Sequence, residues 1–309
     1  MLDDSPRFKM IELDAIVSTN SFLRDYRPLQ PVDITLVTAE YQTAGRGQGT
    51  NCWESERGKN LLFSLLVNPA SLPATQAFVL SEAIALSIRE AIARFIREAI
   101  TPFIREEVTI KWPNDIYVGD CKIAGILIEN TLQGSAVARS IIGCGVDVNQ
   151  ETFRFPLLNR QASLQAEHPT VNSESPIMNS ESPILNSELS ITNSEWSIVN
   201  TPISLRQLLG HDVERRFVLE AIIDGFTRRY ELIQRGTFAP IADEYRAALY
   251  RRTGFHPFRD ANGPFEAEIA DVELSGHLVL RCPTGRLSRY AFKEVSFLLP
   301  SPSPHLPQA

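Results

Sequence analysis

Residues 111–129, KWPNDIYVGDCKIAGILIE, combine two lysines with amide and carboxylate side chains at spacings that could suit an anion. Proline restricts the residue before it to an extended backbone, so Lys111 and Trp112 are predicted to end a strand. Asn114 and Asp115 are predicted to form the tight turn that follows, which brings an amide and a carboxylate to the strand end. A carboxylate there is more often a turn-forming group than a metal ligand, and both roles stay open for Asp115.

The second lysine of this segment, Lys122, opens an otherwise apolar strand. Partial burial there would favour pairing of its ammonium group with a bound anion rather than with bulk water. A solvated lysine at the end of a strand is the alternative interpretation.

A glycine-rich segment, QTAGRGQGTNCWES, runs from Gln42 to Ser55 directly after a predicted strand. Its backbone amides and the guanidinium group of Arg46 could approach an anion closely. The segment is not a Walker loop, because it lacks the GKS or GKT ending, and it is not a GxGxxG loop. A flexible surface loop would have a similar composition, but Trp53 could cover a ligand or lock the loop onto the core.

Strands and amphipathic helices alternate around these residues and would have to position them. FKMIELDAIV and ITLVTAEY are predicted strands, with a helix over SFLRDYRPL between them after a candidate cap at residues 18–20. LLFSLLVN, TIKW, CKIAGILIEN and VARSIIGCGVDVN are further predicted strands. Helices are predicted over PATQAFVLSEAIALSIREAIARFIREAI, as far as residues 101–102, over RQLLG, and over DVERRFVLEAIIDGFTRRYELIQRG with a stop at Gly236.

After Thr253 the pattern changes to four short alternating strands in GPFEAEIADVELSGHLVLRCPTGRLSRYAFKEVSFLLP, with turns at residues 275–276 and 284–285. This pattern predicts a separate small β barrel. Before it, residues 172–199 contain tandem units of seven that begin with NSE. These units are too polar for a coiled coil, so we interpret them as a repeat expansion in a surface loop, with carrier docking or binding as the alternative.

The bulk properties exclude several classes of protein. A chain of 309 residues with 43% apolar and 22% charged residues is expected to form one large domain or two unequal ones. A net charge of −7 and a pI near 5.4 argue against a general nucleic-acid partner. The four scattered cysteines, the absence of a long apolar run and the polar amino terminus predict a cytoplasmic protein without a membrane partner.

Several motifs, taken together and in order, resemble those of biotin protein ligases. They are STN at residues 18–20, the GRG loop with Trp53, KWPNDI, KIAGILIE, and GCGVDVN at residues 143–149. The resemblance covers the chain from about residue 8 to 300, apart from the NSE repeats and a duplicated FIRE motif near residue 100.

This resemblance implies an α+β fold, in which a mixed sheet is flanked by helices, as in class II synthetase-like biotin/lipoate ligases. A small carboxyl-terminal SH3-like β barrel is expected to follow. The expected domains are a catalytic domain over residues 1–250, with the repeat insertion at 172–199, the barrel over 251–300 and a tail over 301–309.

The resemblance also implies which residues bind the substrates, biotin and magnesium-ATP. Lys122 matches the family's catalytic lysine, which holds the biotin carboxylate against the α-phosphate of ATP, and Arg46 is the second catalytic candidate. The residues implied to bind biotin are Ser18, Thr19, Asn20, Gln42, Gly45, Arg46, Gly47, Trp53, Lys122 and Gly125. The residues implied to lie near the nucleotide are Gln48, Lys111, Asn114, Asp115 and Asn149, with Asp115 also the candidate Mg²⁺ ligand.

One residue departs from the family pattern. Many members carry a second arginine, which grips the phosphate of biotinyl adenylate, where this chain has Gln48. A neutral amide would hold an anion less strongly than a guanidinium group, so either the phosphate would depend more on Lys122 or magnesium, or the adenylate would be held less tightly.

The implied activity has two steps, in which biotin is adenylated and then passed to a lysine of a biotin carboxyl carrier protein. A lipoate protein ligase of the same superfamily and a non-catalytic biotin-binding relative are the alternatives. We expect no repressor function, because the ligase-like region begins at Ser18 and leaves no room for a DNA-binding domain. Relatives without such a domain occur as monomers or dimers, so a homodimer stays open.

Overall fold

The structure is a computed structural model that describes residues 8–30, 32–47, 52–69, 72–99, 107–153, 196–197 and 201–300. Gln48 and the second copy of the FIRE motif lie outside these ranges. The NSE repeats also lie outside them, apart from the backbone of residues 196–197. Within the described ranges, no helix is both long and apolar enough to cross a membrane.

A mixed sheet forms the centre of the described part of the chain. The strands up to residue 202 are β1 (Phe8–Ile16), β2 (Ile34–Gln42), β3 (Leu61–Val67), β4 (Val108–Lys111), β5 (Asp115–Val118), β6 (Cys121–Gln133), β7 (Ala136–Val146), β8 (Trp196–Ser197) and β9 (Thr201–Pro202). The order in the sheet is β1-β2-β3-β7-β6-β5-β4, with β9 beside β6. The pairs β1–β2 and β6–β9 are parallel, and the remaining pairs are antiparallel. The predicted mixed sheet is therefore confirmed.

Five helices are described: α1 (Thr19–Asp25), α2 (Val79–Glu98), α3 (Leu205–Leu209), α4 (Arg215–Gln234) and α5 (Ala239–Ala247). Helix α1 packs on one face of the sheet, where Leu23 contacts Val37, Leu66 and Ile141. Helix α2 covers the other face and packs against α4 and α5. The sheet is thus flanked by helices on both faces.

Strand β3 shows how the sequence produces this arrangement. Its side chains are buried along its whole length because it lies between β2 and β7 with helices on both faces. Alternate side chains of a strand point to opposite faces, so Phe63 and Leu65 join the core under α2, whereas Leu66 joins the cluster under α1. A strand covered on both sides has to be almost entirely apolar, and Ser64 is its polar exception.

Several elements differ from the sequence prediction. Asp115 was predicted to lie in a tight turn, but it begins β5 and pairs with Lys111 of β4 and Gly125 of β6, so the turn occupies residues 112–114. Helix α5 was not predicted. Helix α2 begins only at Val79, after a 3-10 turn at residues 74–76, and α4 ends close to Gly236, whose φ of 71° places it in the left-handed region.

A second, antiparallel sheet follows helix α5. Its strands are β10 (His256–Asp260), β11 (Gly263–Val272), β12 (Leu278–Arg281), β13 (Leu287–Tyr290) and β14 (Ser296–Phe297), in the order β13-β12-β11-β10-β14. The short strand β15 (Leu299–Pro300) pairs with β8. The predicted turns are confirmed by Gly276 and Gly285, which have φ of 87° and 85°. Strand β10 was not predicted.

The two sheets share one hydrophobic core. The ring of Tyr250 lies 5.3 Å from that of Tyr117 on β5 and 6.3 Å from that of Phe297 on β14. Phe258, Leu278 and the other buried residues of the second sheet belong to the same cluster of contacts as the core under α2. The second sheet is therefore packed onto the first without a solvent layer between the two cores.

Candidate active site

A cleft of about 790 Å³ opens where the carboxyl-terminal sheet meets the mixed sheet. It brings together twelve of the residues predicted from the sequence: Ser18, Thr19, Asn20, Gln42, Arg46, Gly47, Trp53, Lys111, Asn114, Asp115, Lys122 and Gly125. The predicted residues that do not line it are Gly45 and Asn149, and Gln48 lies outside the described part of the chain. A volume of this size is typical of a pocket for a small molecule or cofactor.

One end of the cleft is a buried corner of hydrogen-bonding side chains. Ser18, Thr19 and Asn20, at the start of α1, are each no more than 3% exposed. Gln42 Oε1 accepts a hydrogen bond from the backbone N–H of Thr19 at 2.8 Å. Ser64 Oγ lies within hydrogen-bonding distance of both Thr19 and Asn20. A corner of this kind can read a ligand that carries both donors and acceptors.

The corner is closed at its side by Glu129. Its carboxylate accepts from Asn20 Nδ2 at 3.0 Å and pairs with Arg24 at 2.8 Å and with Arg46 at 3.4 Å. The guanidinium group of Arg46, on the glycine-rich loop, is thereby tied to strand β6. Because both arginines are about half exposed, these ion pairs orient side chains more than they stabilise the fold.

Trp53 explains the glycines around the cleft. A Cβ atom at Gly145 would lie 2.3 Å from the Trp53 ring, and one at Gly45 would lie 2.4 Å from the Trp53 carbonyl oxygen. The indole therefore rests directly on strand β7, and its Nε1–H is buried without a hydrogen-bond partner among the described residues. Gly45 acts by letting the loop close on itself, since Trp53 N donates to Gly45 O at 3.0 Å.

The charged centre of the cleft is an ion pair. Lys122 Nζ lies 2.7 Å from Asp115 Oδ1, and each side chain is 20% exposed. Both residues lie on neighbouring strands, because β5 and β6 form an antiparallel hairpin. The ammonium group of Lys122 also lies 5.7 Å from the centre of the Trp53 ring. A lysine held in this way is available to a ligand carboxylate or phosphate.

Lys111 lies deeper in the same wall. Its ammonium group donates to Tyr117 OH at 3.1 Å and lies 5.7 Å from the centre of the Phe297 ring of β14. Burial lowers the pKa of Lys111 to about 8, although the carboxylate of Asp115 opposes this shift. Lys111 is therefore charged at pH 7 but close to losing its proton.

The turn between the two lysines is held from three sides. Asn114 Nδ2 donates to the carbonyl oxygen of Ile126, on β6. Trp112 Nε1 donates to the carbonyl oxygen of Gly276 at 3.0 Å, in a turn of the second sheet. The buried hydroxyl of Tyr245, on α5, donates to Pro113 O at 2.8 Å. The Asn114 amide is thus committed to the backbone in this structure.

Asn149 is held away from the cleft. Its side-chain amide donates to Val213 O and its oxygen accepts from Val213 N, both at 2.8 Å, which connects it to the chain ahead of α4. Both of its polar groups are therefore engaged with backbone, and its contact with a nucleotide stays a prediction.

Asp147 and Gln150 line the cleft on that side instead. Asn60 Nδ2 donates to both of them, at 3.0 and 2.7 Å. Burial raises the pKa of Asp147 well above its usual range, although Lys122 opposes this shift. These residues were not predicted individually. A polar residue inside an apolar run is a sequence signal that could have identified Asp147, which lies within GCGVDVN. The same signal marks Ser64 within LLFSLLV.

The second sheet also contributes to the cleft, which was not predicted. Phe292, Lys293, Val295, Ser296 and Phe297 form part of its lining. Lys293 has a φ of 71°, in the left-handed region that non-glycine residues seldom adopt. The sequence of the second sheet carried no motif that pointed to a site, so this contribution became visible only from the packing of the two sheets.

The donor groups of the cleft do not form a resident metal centre. Among the described residues, no three histidine, cysteine, aspartate or glutamate side chains are grouped in a way that could hold a metal ion. Of the three carboxylates that line the cleft, those of Glu54, Asp115 and Asp147, Asp115 is the one that pairs with Lys122. A single carboxylate suits a magnesium ion that arrives with its phosphates.

The chain is therefore an α+β protein with a ligand-sized cleft in which a hydrogen-bonding corner lies beside two lysines. Residues 13–147 match the model of the biotin/lipoate A/B protein ligase family. This segment, which contains the corner, the loop, the ion pair and both lysines, belongs to that family, as the motifs predicted.

Individual relatives agree with the family match. The chain is 27% identical over 278 residues to the bifunctional ligase/repressor BirA of Bacillus spizizenii, which covers 89% of this chain and 70% of that protein. It is 28% identical over 264 residues to the biotin–[acetyl-CoA-carboxylase] ligase of Paracoccus denitrificans, with 81% and 85% covered. The structure superposes on that of a biotin protein ligase from Aquifex aeolicus in complex with biotin and ATP, with a TM-score of 0.63, 19% identity, and 95% and 99% of the chains covered. The two proteins share a fold.

Proposed function

We propose that this protein is an ATP-dependent ligase that forms biotinyl-5′-adenylate and transfers the biotinyl group to a specific lysine of a biotin carboxyl carrier protein. The observation that carries this proposal is the position of the Lys122–Asp115 ion pair in the same cleft as the buried corner of Thr19 and Asn20. The relatives support it, since the Paracoccus denitrificans protein is named a biotin ligase and the Aquifex aeolicus structure contains biotin and ATP.

The corner favours biotin over lipoate as the acid. A ureido ring offers two N–H donors and a carbonyl acceptor, which match the hydroxyl and amide groups of Thr19, Asn20 and Gln42. The dithiolane ring of lipoate has no comparable donor or acceptor. Buried polar groups left without partners would cost about 1–3 kcal/mol each, so the corner would discriminate against lipoate.

In the first half-reaction, an oxygen of the biotin carboxylate attacks the α-phosphorus of ATP. The new bond makes a mixed anhydride, and the bond to the leaving pyrophosphate breaks. Lys122 is the group in position to bring the two anions together and to neutralise the negative charge that develops on oxygen, which is the kind of electrostatic stabilisation that dominates such reactions. Asp115 orients the ammonium group of Lys122.

A magnesium ion bound to the phosphates of ATP would add further charge neutralisation, with Asp115 as the candidate protein ligand. Lys111, whose ammonium group lies on the same wall, is the second cation assigned to the phosphates. Arg46 is assigned to the biotin side of the cleft, and its release from Glu129 would let the loop adjust to the ligand.

In the second half-reaction, the neutral amine of the carrier lysine attacks the activated carbonyl carbon. An amide bond forms, the bond from that carbon to the phosphate oxygen breaks, and AMP leaves while the amine proton passes to solvent. Trp53, which lines the cleft and lies on Gly145, would limit the access of water, which would otherwise hydrolyse the anhydride.

The remaining features of the fold fit this function. We assign the mixed sheet with its helices to the class II synthetase-like ligase fold and the second sheet to an SH3-like barrel, with a domain boundary near residue 250. The five short antiparallel strands of the second sheet support that assignment.

The direct test is a transfer assay. A carrier domain is incubated with the protein, magnesium-ATP and either biotin or lipoate, and the product is analysed by intact mass spectrometry. We expect one biotinyl group to be added in the biotin arm and no modification in the lipoate arm. Preferential lipoylation would contradict the assignment of the substrate, and no modification in either arm would contradict ligase activity.

A further inference from the structure

The side chain of Ser64 lies directly beneath the hydrogen-bonding corner of the cleft. It is fully buried and is the polar residue of the apolar strand β3. Its Oγ lies 2.7 Å from Thr19 Oγ1 and 2.6 Å from Asn20 Oδ1. Ser64 does not itself line the cleft, so it can act on a ligand only through these two neighbours.

The far side of Asn20 fixes the orientation of its amide. Asn20 Nδ2 lies 3.0 Å from Glu129 Oε2 and 3.4 Å from the carbonyl oxygen of Leu127. Carboxylate and carbonyl oxygens accept hydrogen bonds and cannot donate, so the NH₂ group of Asn20 has to face them. The Asn20 oxygen therefore faces Ser64.

This orientation determines where the hydroxyl protons go. The oxygen of the Asn20 amide only accepts, so the single proton of Ser64 is donated to it. The Thr19 hydroxyl has two possible acceptors, Ser64 Oγ at 2.7 Å and Gln42 Oε1 at 3.2 Å, and the shorter contact between the two hydroxyl groups needs a proton, so Thr19 donates to Ser64. Gln42 Oε1 is satisfied by the backbone N–H of Thr19, which leaves its NH₂ group as a donor.

We propose that Ser64 is a positioning residue that sets the hydrogen-bond direction of the corner. With its proton committed to Ser64, Thr19 presents an acceptor to the cleft and reads an N–H group of the bound acid, while Gln42 presents a donor to a carbonyl oxygen. The inference rests on the proposed function, because it identifies the N–H and the carbonyl with those of the ureido ring of biotin.

The experiment compares Ser64→Ala with the wild-type protein in biotin-dependent pyrophosphate exchange. Loss of one buried hydrogen bond is expected to weaken the binding of biotin by a factor of roughly 5 to 30. We expect the KM for biotin to rise by that factor, while kcat at saturating biotin and the KM for ATP stay within about twofold. Ser140→Ala is the matched control, because Ser140 is a fully buried serine on β7 whose hydroxyl has no partner among the described residues and does not line the cleft.

A second variant separates positioning from a general loss of stability. Thr19→Val keeps the shape of the side chain but removes the proton donated to Ser64, so it should also raise the KM for biotin. In that background, Ser64→Ala should add less than a further twofold, because the chain of hydrogen bonds is already broken. Fully additive effects would overturn the proposal, and Ser64→Cys, which keeps the size of the side chain but donates only a weak hydrogen bond, carries the test if Ser64→Ala does not fold.

The two proposals fail in different ways. A wild-type protein without biotin-dependent exchange would overturn the ligase function and this inference with it. An active wild-type protein with unchanged KM values in Ser64→Ala would overturn the role of Ser64 alone.

Discussion

Lys122 Nζ and Asp115 Oδ1 lie 2.7 Å apart at the centre of the cleft, and both side chains keep a fifth of their surface exposed. The pair is therefore open on the side that faces a ligand. An incoming anion can bind the ammonium group without first breaking a sealed ion pair, whose two charges would be costly to separate in the interior. The cation is oriented before the substrate arrives.

Because of this arrangement, Lys122 is the first residue to substitute in an experiment. Lys122→Ala should lower biotin-dependent pyrophosphate exchange by roughly 10²- to 10³-fold or more, because the charge that develops on oxygen loses its nearest cation. The thermal unfolding temperature should change little, since the lysine is partly exposed. Lys9→Ala, on exposed strand β1 away from the cleft, is the control. Wild-type exchange in Lys122→Ala would rule out the assigned role.

Lys111 should give the binding of ATP a distinctive pH dependence. Its pKa is lowered to about 8 by burial, so its charge is lost as the pH rises from 7 to 9 in the free protein. The Kd for ATP, measured by calorimetry, should rise several-fold over that range in the wild-type protein. Lys111→Met should bind ATP more weakly than the wild-type protein at pH 7, and its Kd should depend little on pH. An equal slope in both proteins would contradict this prediction.

The ammonium group of Lys111 should also make the free energy of unfolding depend on pH. Its pKa in the unfolded chain is near 10.5, so between pH 8 and 10.5 the unfolded state binds more protons than the folded state. The contribution of Lys111 to the free energy of unfolding should therefore rise with pH across that window and be absent in Lys111→Met. Urea titrations at pH 8 and pH 10 would measure the difference.

Gly145 and Gly125 should tolerate a methyl group to different degrees. A Cβ at Gly145 would lie 2.3 Å from the Trp53 indole, whereas the nearest atoms to a Cβ at Gly125 are 3.0 Å away. Gly145→Ala should therefore push the indole off strand β7 and shift its fluorescence to longer wavelength, and Gly125→Ala should do so much less. Combination with Trp53→Phe assigns the signal. Equal shifts in the two alanine variants would show that the indole does not rest on β7 as described.

Glu82, on α2, should destabilise the folded protein at neutral and alkaline pH. Burial raises its pKa to about 7, although Arg246 opposes this shift, and its Oε1 has no hydrogen-bond partner among the described residues. The folded state binds the proton more tightly than the unfolded state, so the penalty is absent below pH 4.5 and grows as the pH rises to 7. At pH 8 it amounts to roughly 3 kcal/mol.

Glu82→Gln should remove this penalty. The unfolding temperature of the variant should exceed that of the wild-type protein at pH 8 and approach it at pH 4.5. Glu98→Gln, an exposed residue of the same helix, serves as the control, because its carboxylate keeps contact with solvent and forms only a surface ion pair with Arg94. A variant that is less stable than the wild-type protein at pH 8 would contradict the assignment of Glu82 as a strained acid.

The sequence predicted the parts of the fold that depend on local patterns. Strand β3 was predicted because it is continuously apolar, and α2 and α4 because their apolar residues recur at helical spacing. Asp115 was misplaced because propensity puts Asn-Asp in a turn, whereas the backbone of Asp115 pairs with strands on both sides. The conformation of Asp115 is determined by its pairing with the neighbouring strands, which the local sequence does not reveal.

The site shows the same contrast between what local sequence patterns predict and what tertiary packing determines. The motifs predicted which residues gather in the cleft, but they did not separate those that face a ligand from those that hold the backbone. Asn149 has the right type and lies in a family motif, yet both of its polar groups bind Val213, which is distant in sequence. Ser64 and Phe297 lack a motif of their own, and only the packing shows that they contact residues of the cleft.

Two contacts between the sheets constrain the evolution of this protein. They are the hydrogen bond from Trp112 to Gly276 and the contact of Phe297 with Lys111. A mutation at Gly276 or Phe297 would alter the surroundings of Trp112 or Lys111, so the second sheet and the mixed sheet are not free to diverge independently. A carboxyl-terminal sheet taken from a relative would change the surroundings of Trp112 and Lys111, and substitutions where the two sheets meet should therefore occur in compensating pairs.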